Sequence, residues 1–157
     1  MNGKEFKLGE TTLQDMIDAG VPFNEDDLAN AENNVKSNSE SGQFKIDIAE
    51  FHTGSVTVGN YTEQNAKANE LPIVSIYLPI KDEPQDVITF NFPLDLTIEQ
   101  LKENSGAPTN EKSSGGDGEI KMDKIEYKAD STQYIGESGY TFEFQDGKLK
   151  YMTINLK

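Results

Sequence analysis

Thr12-Leu13-Gln14-Asp15-Met16, running on to Gly20-Val21-Pro22, returns in the second half of the chain as Thr97-Ile98-Glu99-Gln100-Leu101, running on to Gly106-Ala107-Pro108. The offset is 85 residues at the start of the pattern and 86 at its end, about half of 157 residues. Self-similarity at a fixed offset marks a repeated structural unit. Each position has a physical task. Thr12 and Thr97 suit a helix N-cap, where the hydroxyl accepts from an unpaired backbone N–H. Asp15 and Gln100, three residues on, can reach back in a capping box and sit well at the positive end of a helix dipole. Leu13, Met16 and Ile17 fall on one helical face, as do Ile98 and Leu101. Gly20 and Gly106 are placed for a left-handed C-cap, and the proline two residues later stops the helix. Both stretches read as helices of two to three turns.

Working outward, each helix is preceded by a strand-like stretch, Glu5–Leu8 in the first half and Val87–Phe92 in the second. Each is followed by a polar loop: Asn24 to Gly42, with room for a short helix over Glu25–Asn33, and Thr109 to Gly118, ending in the glycine-rich tip Ser113–Gly118. Strands follow. Gln43–Phe51 alternates, with Phe44, Ile46, Ile48 and Phe51 inward. Ser55–Gly59 returns across a Thr53-Gly54 turn. Ile73–Ile80 is apolar and β-branched, as a central strand should be, and Ile120–Tyr127 supplies another. The sharpest hairpin signal is Asp146-Gly147, a type I′ turn between alternating Tyr140, Phe142, Phe144 and returning Leu149, Tyr151. A two-residue turn places Glu143 opposite Lys150. Beyond Tyr151 the apolar phase moves to Met152, Ile154 and Leu156, which requires a bulge or a strand buried on both faces. The order is β-α-β-β-β twice. The expected class is α+β, with two tandem helix-plus-antiparallel-strand units, over residues 1–85 and 86–157, forming one sheet with helices on one face in a single domain of residues 1–157.

Composition narrows the functions. The chain carries 28 acidic residues against 14 lysines, a net charge of −14, and has no Arg, Trp or Cys. Without the guanidinium fork, and with that charge, nucleic-acid binding and anionic membranes are disfavoured. The missing cysteines exclude disulfides, thiolate nucleophiles and cysteine zinc sites. No segment approaches the ~20 apolar residues of a membrane span. The lysine-only, Asn/Ser/Thr/Gly-rich texture fits a processed envelope protein better than a cytoplasmic one, so any leader or lipid anchor would lie upstream of Met1.

The Thr-Ile-Glu-Gln-Leu … Gly-Ala-Pro segment resembles the helix signature of small bacterial envelope lipoproteins of the SmpA/OmlA type. Two such units in tandem resemble the β-lactamase inhibitory protein fold, a layout shared by lipoproteins of Gram-positive gut bacteria. The resemblance implies an extracytoplasmic, membrane-tethered protein whose sheet face contacts another protein. The first copy departs from the pattern in Asp15 and in a spacer one residue shorter, and no partner-contact residue transfers individually.

Candidate chemistry is thin. His52 is the sole histidine; it stands beside Glu50, with Ser55 and Ser75 within conceivable reach, and reads as a strand-end surface residue, not as part of a triad. Paired carboxylates would suit glycoside hydrolysis, but among 28 acids some pair always falls at a suitable spacing. Asn24-Glu25-Asp26-Asp27, and Asp82-Glu83 with Asp86, lack the EF-hand spacing and read as solvated loop charge; Asp117-Gly118-Glu119 reads as a turn. Gly115–Gly118 is no phosphate cradle. Asn60-Tyr61-Thr62 matches a glycosylation acceptor. Tyr127, Tyr134, Tyr140 and Tyr151 remain as a candidate partner-binding face. The expectation is a non-catalytic envelope binding or scaffolding module without cofactor or metal, docking a protein, peptide or cell-wall component of cationic character. Inhibition of an extracellular enzyme and glycan hydrolysis by paired acids are the alternatives.

Overall fold

A computed structural model describes residues 4–49, 52–80, 93–115, 118–131 and 136–157. Three short helices are present there: α1 (Leu13–Asp18), α2 (Glu25–Leu28) and α3 (Ile98–Ser105). The strands are β1 (Asn34–Val35), β2 (Ser39–Glu40), β3 (Phe44–Ala49), β4 (His52–Asn60), β5 (Ala66–Lys67), β6 (Ile73–Pro79), β7 (Asn110–Ser114), β8 (Met122–Asp130), β9 (Glu137–Gln145) and β10 (Lys148–Asn155). All their pairings are antiparallel. The chain is therefore mostly antiparallel sheet with a few helices, the α+β character that the strand runs predict.

Both predicted helices form with their predicted caps. The Asp15 N–H donates to Thr12 Oγ1 (3.1 Å) and the Thr12 N–H to Asp15 Oδ2 (2.9 Å). The Gln100 N–H donates to Thr97 Oγ1 (3.3 Å) and the Thr97 N–H to Gln100 Oε1 (2.8 Å). At the end of α1, Gly20 takes φ 73° while its N–H bonds the Ile17 carbonyl and the Val21 N–H bonds the Met16 carbonyl. That is a complete Schellman closure, with buried Met16 and Val21 as its apolar pair. Gly106 differs from expectation: it is the cap residue itself, at φ 81° and ψ −164°, extended in ψ and not αL.

The main sheet has eight strands in the order β2-β4-β6-β10-β9-β8-β7, with β3 also paired to β4. β6 lies between β4 and β10, as its aliphatic run predicts. Alternation sends Phe44, Ile46, Ile48, Val56, Leu78, Ile125, Phe142, Phe144 and Met152 to one side, where they form one buried cluster with Leu13 and Met16 of α1 and Leu101 of α3. The outer edge of β3 is closed by the chain before and within α2: Asp47 N–H to the Pro22 carbonyl (2.8 Å), Asn24 N–H to the Lys45 carbonyl (3.0 Å), Lys45 N–H to Asp27 Oδ2 (2.8 Å). The other edge, β7, is exposed along its whole length and carries Glu111 and Lys112, charges of the kind that discourage edge pairing.

Several boundaries differ from the sequence reading. Glu5–Leu8 is not a strand: Thr11 N–H bonds the Lys7 carbonyl and Lys7 N–H bonds Thr11 Oγ1, both at 2.9 Å. The threonine side chain thus competes for the backbone donor that a strand would need, although Phe6 and Leu8 still pack on the core. Thr53-Gly54 is not a turn but part of β4, opposite Asp47 and Ile46. Glycine is needed there for close approach, since a Cβ would stand 2.8 Å from Ile48 Cδ1. Half of the expected Thr109–Gly118 loop, Asn110–Ser114, is strand β7. Ile120 is 59% exposed, and β8 begins only at Met122. The short helix predicted over 25–33 stops at Leu28.

The last hairpin turns at Asp146 (φ 49°) and Gly147 (φ 78°), as a type I′ turn requires. Glu143 faces Tyr151, however, and not Lys150, because Lys150 is the extra residue of a bulge between Leu149 and Tyr151. That bulge accounts for the shift of apolar phase to Met152. Val87–Phe92, Glu50, Phe51, Asp82, Glu83, Asp86, Gly116, Asp117 and Tyr134 lie outside the described residues.

Candidate functional site

The sheet has two unlike faces. One holds the buried cluster and the helices. The other presents the alternate residues Thr53, Ser55 and Thr57 of β4, Ser75 and Tyr77 of β6, Tyr151 and Thr153 of β10, and Thr141 and Glu143 of β9, as the registers require. Tyr77 and Tyr151 stack there, ring centroids 5.8 Å apart and planes 14° from parallel. Tyr77 stands opposite Ser55 and Thr153. Partial burial, then the neighbouring Tyr151 and Glu143, push its phenol pKa up. Both rings are half-buried, so each offers an apolar flank to solvent while lying over the sheet.

Of the four tyrosines singled out in the sequence, Tyr127 and Tyr140 share a face and Tyr151 lies on the other. Tyr127 and Tyr140 are register partners on the helix-covered side. Tyr140 stacks on Phe142 at 6.2 Å, Tyr127 meets Phe142 edge-on at 6.3 Å, and the Tyr127 hydroxyl donates to the Gly106 carbonyl at 3.0 Å. These two rings, with Leu8, Ile154 and Leu156, line a shallow groove of about 580 Å³. Tyr151 lies on the opposite side, and Tyr134 is not described. Its companion Tyr77 escaped the sequence reading because it sits inside an aliphatic run; the signal was the alternation Ser75, Tyr77 within that run, which breaks the pattern of a strand apolar on both faces.

Charge is distributed unevenly. The three helices hold Asp15, Asp18, Glu25, Asp26, Asp27, Glu99 and Glu103 against the single Lys102. The helix-free sheet face instead alternates Lys45, Lys124 and Lys128 with Asp47, Glu126 and Glu143. Glu126 is 5% exposed. Lys128 Nζ at 2.9 Å, Asn110 Nδ2 at 2.6 Å and Lys124 Nζ at 3.3 Å surround its carboxylate. The Lys128 hydrogen bond first, then that of Asn110, hold its pKa down to about 2 against the opposing effect of burial. On the other side of β8, the Ser113 hydroxyl and Lys121 Nζ bind buried Asp123, and the Ser113 bond is the main cause of its lowered pKa. Both carboxylates bond β7 side chains and so fasten that strand to β8.

The remaining candidates resolve into local structure. Ser75 Oγ lies 2.6 Å from Asn155 Oδ1 and donates to it, and Ser55, although on the face of Tyr77, is buried. Asn24 caps α2, accepting from Asp26 and Asp27 N–H. No group of three or more metal-ligating side chains occurs among the described residues. Asn60, far from being an open glycan acceptor, is fully buried. A second concavity, an amide-rimmed cup of about 420 Å³, lies between α2, β1 and the start of β3. Its signal in the sequence is the density of asparagine at Asn30, Asn33 and Asn34. Comparison with protein-family models, with curated proteins and with solved structures gives no match.

Proposed function

We propose that this chain is a non-catalytic binding or scaffolding module of the bacterial cell envelope, extracytoplasmic, which docks a protein or peptide on its helix-free sheet face. The observation that carries the reading is the stacked Tyr77–Tyr151 pair set among threonine and serine hydroxyls on a face that no helix covers among the described residues. Tyrosine offers a large rigid contact area at small entropic cost, and the surrounding hydroxyls donate and accept. The acid excess on the helices repels anionic polymers, which argues against nucleic acid and for a neutral or cationic partner.

The tandem-unit layout, like that of the β-lactamase inhibitory protein, belongs to this proposal. What supports it is the correspondence of α1, β3, β4 and β6 with α3, β8, β9 and β10. In each set a capping-box helix precedes three antiparallel strands that run from the outside inward, and the last strands of the two sets, β6 and β10, pair with each other. A two-fold relation between halves accounts for that order. Inhibition of an extracellular enzyme through the 113–118 tip is the alternative reading; it asks for an ordered tip, and Ser113 and Ser114 lie in β7.

A photo-crosslinking residue at Thr57 or Thr153, on the open face, should capture a defined envelope partner in cells of the source organism, and Tyr77→Ala with Tyr151→Ala should abolish the capture. Crosslinks obtained only from helix-side positions such as Gln14 would refute docking on the sheet.

A further inference from the structure

The cup beside α2 has a volume of about 420 Å³, within the ~300–1,000 Å³ of small-molecule sites. Its floor is apolar, made by Val35, Phe44 and Ala68, each more than nine-tenths buried. Its rim is dominated by uncharged amides, those of Asn30, Asn33, Asn34 and Gln43. We propose that this cup is a binding site for a neutral saccharide of one or two rings, separate from the sheet-face docking surface.

The chemistry of the lining selects the ligand class. A side-chain amide presents a donor pair and an acceptor on one planar group, which matches vicinal hydroxyls that each donate and accept. The apolar floor matches the C–H face of a pyranose ring. The lining sets the single cation Lys36 against Asp27 and Glu40, so the cup is acidic on balance and disfavours an anion. The rim acids, for their part, are already engaged: Asp27 accepts from the Lys45 N–H, and Glu40 binds the Tyr61 hydroxyl and Lys157 Nζ. A cation therefore finds no free carboxylate pair, whereas the Asn34 and Gln43 amides have no protein partner among the described residues.

The walls are held in advance of any ligand. Asn33 Nδ2 donates to Asn30 Oδ1 (2.9 Å), and Asn30 Nδ2 to the Asp26 carbonyl (3.3 Å). Buried Asn60 donates to the Val35 carbonyl (2.9 Å), Ser37 N–H donates to Asn65 Oδ1 (3.1 Å), and Ala68 N–H donates to the Asn33 carbonyl (3.0 Å). Residues 30–43, which include β1 and β2, are thus braced from three sides. Such bracing lowers the entropy lost on binding.

The test is titration of the 15N-labelled full chain with glucose, N-acetylglucosamine, maltose and diacetylchitobiose, with glycylglycine and inorganic phosphate as charged controls, followed by NMR chemical shifts. At least one sugar should produce saturable shifts at the Asn34 and Gln43 side-chain amides and along backbone residues 30–44. Asn34→Ala and Gln43→Ala change exposed positions, so spectral dispersion should persist while affinity falls roughly three- to tenfold for each, the worth of one hydrogen bond. Absence of sugar-dependent shifts, equal affinity in the double variant, or a response to the charged controls in place of the sugars would overturn the proposal. Shifts confined to the surroundings of Tyr77 and Tyr151 would overturn it while leaving sheet-face docking intact.

Discussion

Asn60 illustrates how a surface motif becomes an internal brace. Its Nδ2 donates to the Val35 carbonyl (2.9 Å) and the Gln64 carbonyl (2.8 Å), and its Oδ1 accepts from Thr62 N–H (3.2 Å) and Oγ1 (2.8 Å). All four valences of the amide are used inside the fold. Replacing it by Ala strands two carbonyls near the core, so Asn60→Ala should lower the unfolding free energy by about 2–3 kcal/mol in urea titrations. Glu126 makes a pH-dependent contribution. Its folded pKa of about 2 lies below the ordinary 4.5, so the folded state favours the carboxylate. The stabilisation is therefore complete above about pH 4.5 and is lost as the pH falls toward about 2. Asp123, lowered for a similar reason, acts in the same direction. Urea midpoints measured across that window should fall steeply in the parent protein and less steeply in Glu126→Gln. A parallel fall in both would mean that the Lys128–Asn110 cradle contributes nothing.

Between β8 and β9 the decisive element is backbone proximity. Gly139 sits at φ 145°, and a Cβ on it would lie 2.0 Å from the Tyr127 carbonyl oxygen, a backbone atom that cannot swing aside. Gly139→Ala should cost about 2 kcal/mol or more through forced φ and strand separation, while Gly42→Ala, whose Cβ would meet nothing within 4 Å, should be close to neutral; thermal midpoints of the two variants decide. The same contrast explains what was legible in the sequence. The capped helices could be read because cap, buried face and terminator lie within ten residues of one another. The type I′ turn could be read because Asp-Gly has few other uses. Gly54 could not, since its neighbour Ile48 is close only once β3 and β4 are in register. Nor could β7, whose pairing with β8 depends on Ser113 meeting Asp123 and Asn110 meeting Glu126 across the ladder. Tyr151 is parted from Tyr127 and Tyr140 for the same reason: whether two rings share a face depends on strand parity, and the bulge at Lys150 changes that parity between Leu149 and Tyr151. The cup was invisible because its walls close only through contacts such as Asn60 to Val35.

Taken as a whole, the molecule carries more acid than its folded state can neutralise. If each of the 14 lysines met one carboxylate, 14 of the 28 would still be unmatched. Of the ion pairs, Lys67–Glu32, with side chains 49% and 65% accessible, and Lys7–Glu10, at 64% and 73%, are exposed, whereas those of Glu126 and Asp123 have a buried carboxylate. The exposed pairs contribute little and are weakened by salt. The unmatched acids repel one another over longer distances, most of all across the helical side. Added salt thus has two opposed effects, and their ranking follows from range. Between about 10 mM and 150 mM ionic strength the screening length contracts from roughly 30 Å to roughly 8 Å. That change removes repulsion across the molecule but leaves contacts of 3–4 Å largely in place. The melting temperature should therefore rise with sodium chloride over this range, and rise further at fixed salt when Asp26 and Glu103, on α2 and α3, are replaced by Asn and Gln. Calorimetry at a series of salt concentrations measures both. A melting temperature that fell on adding salt would place the stabilising electrostatics in the local pairs and not in repulsion across the helical side.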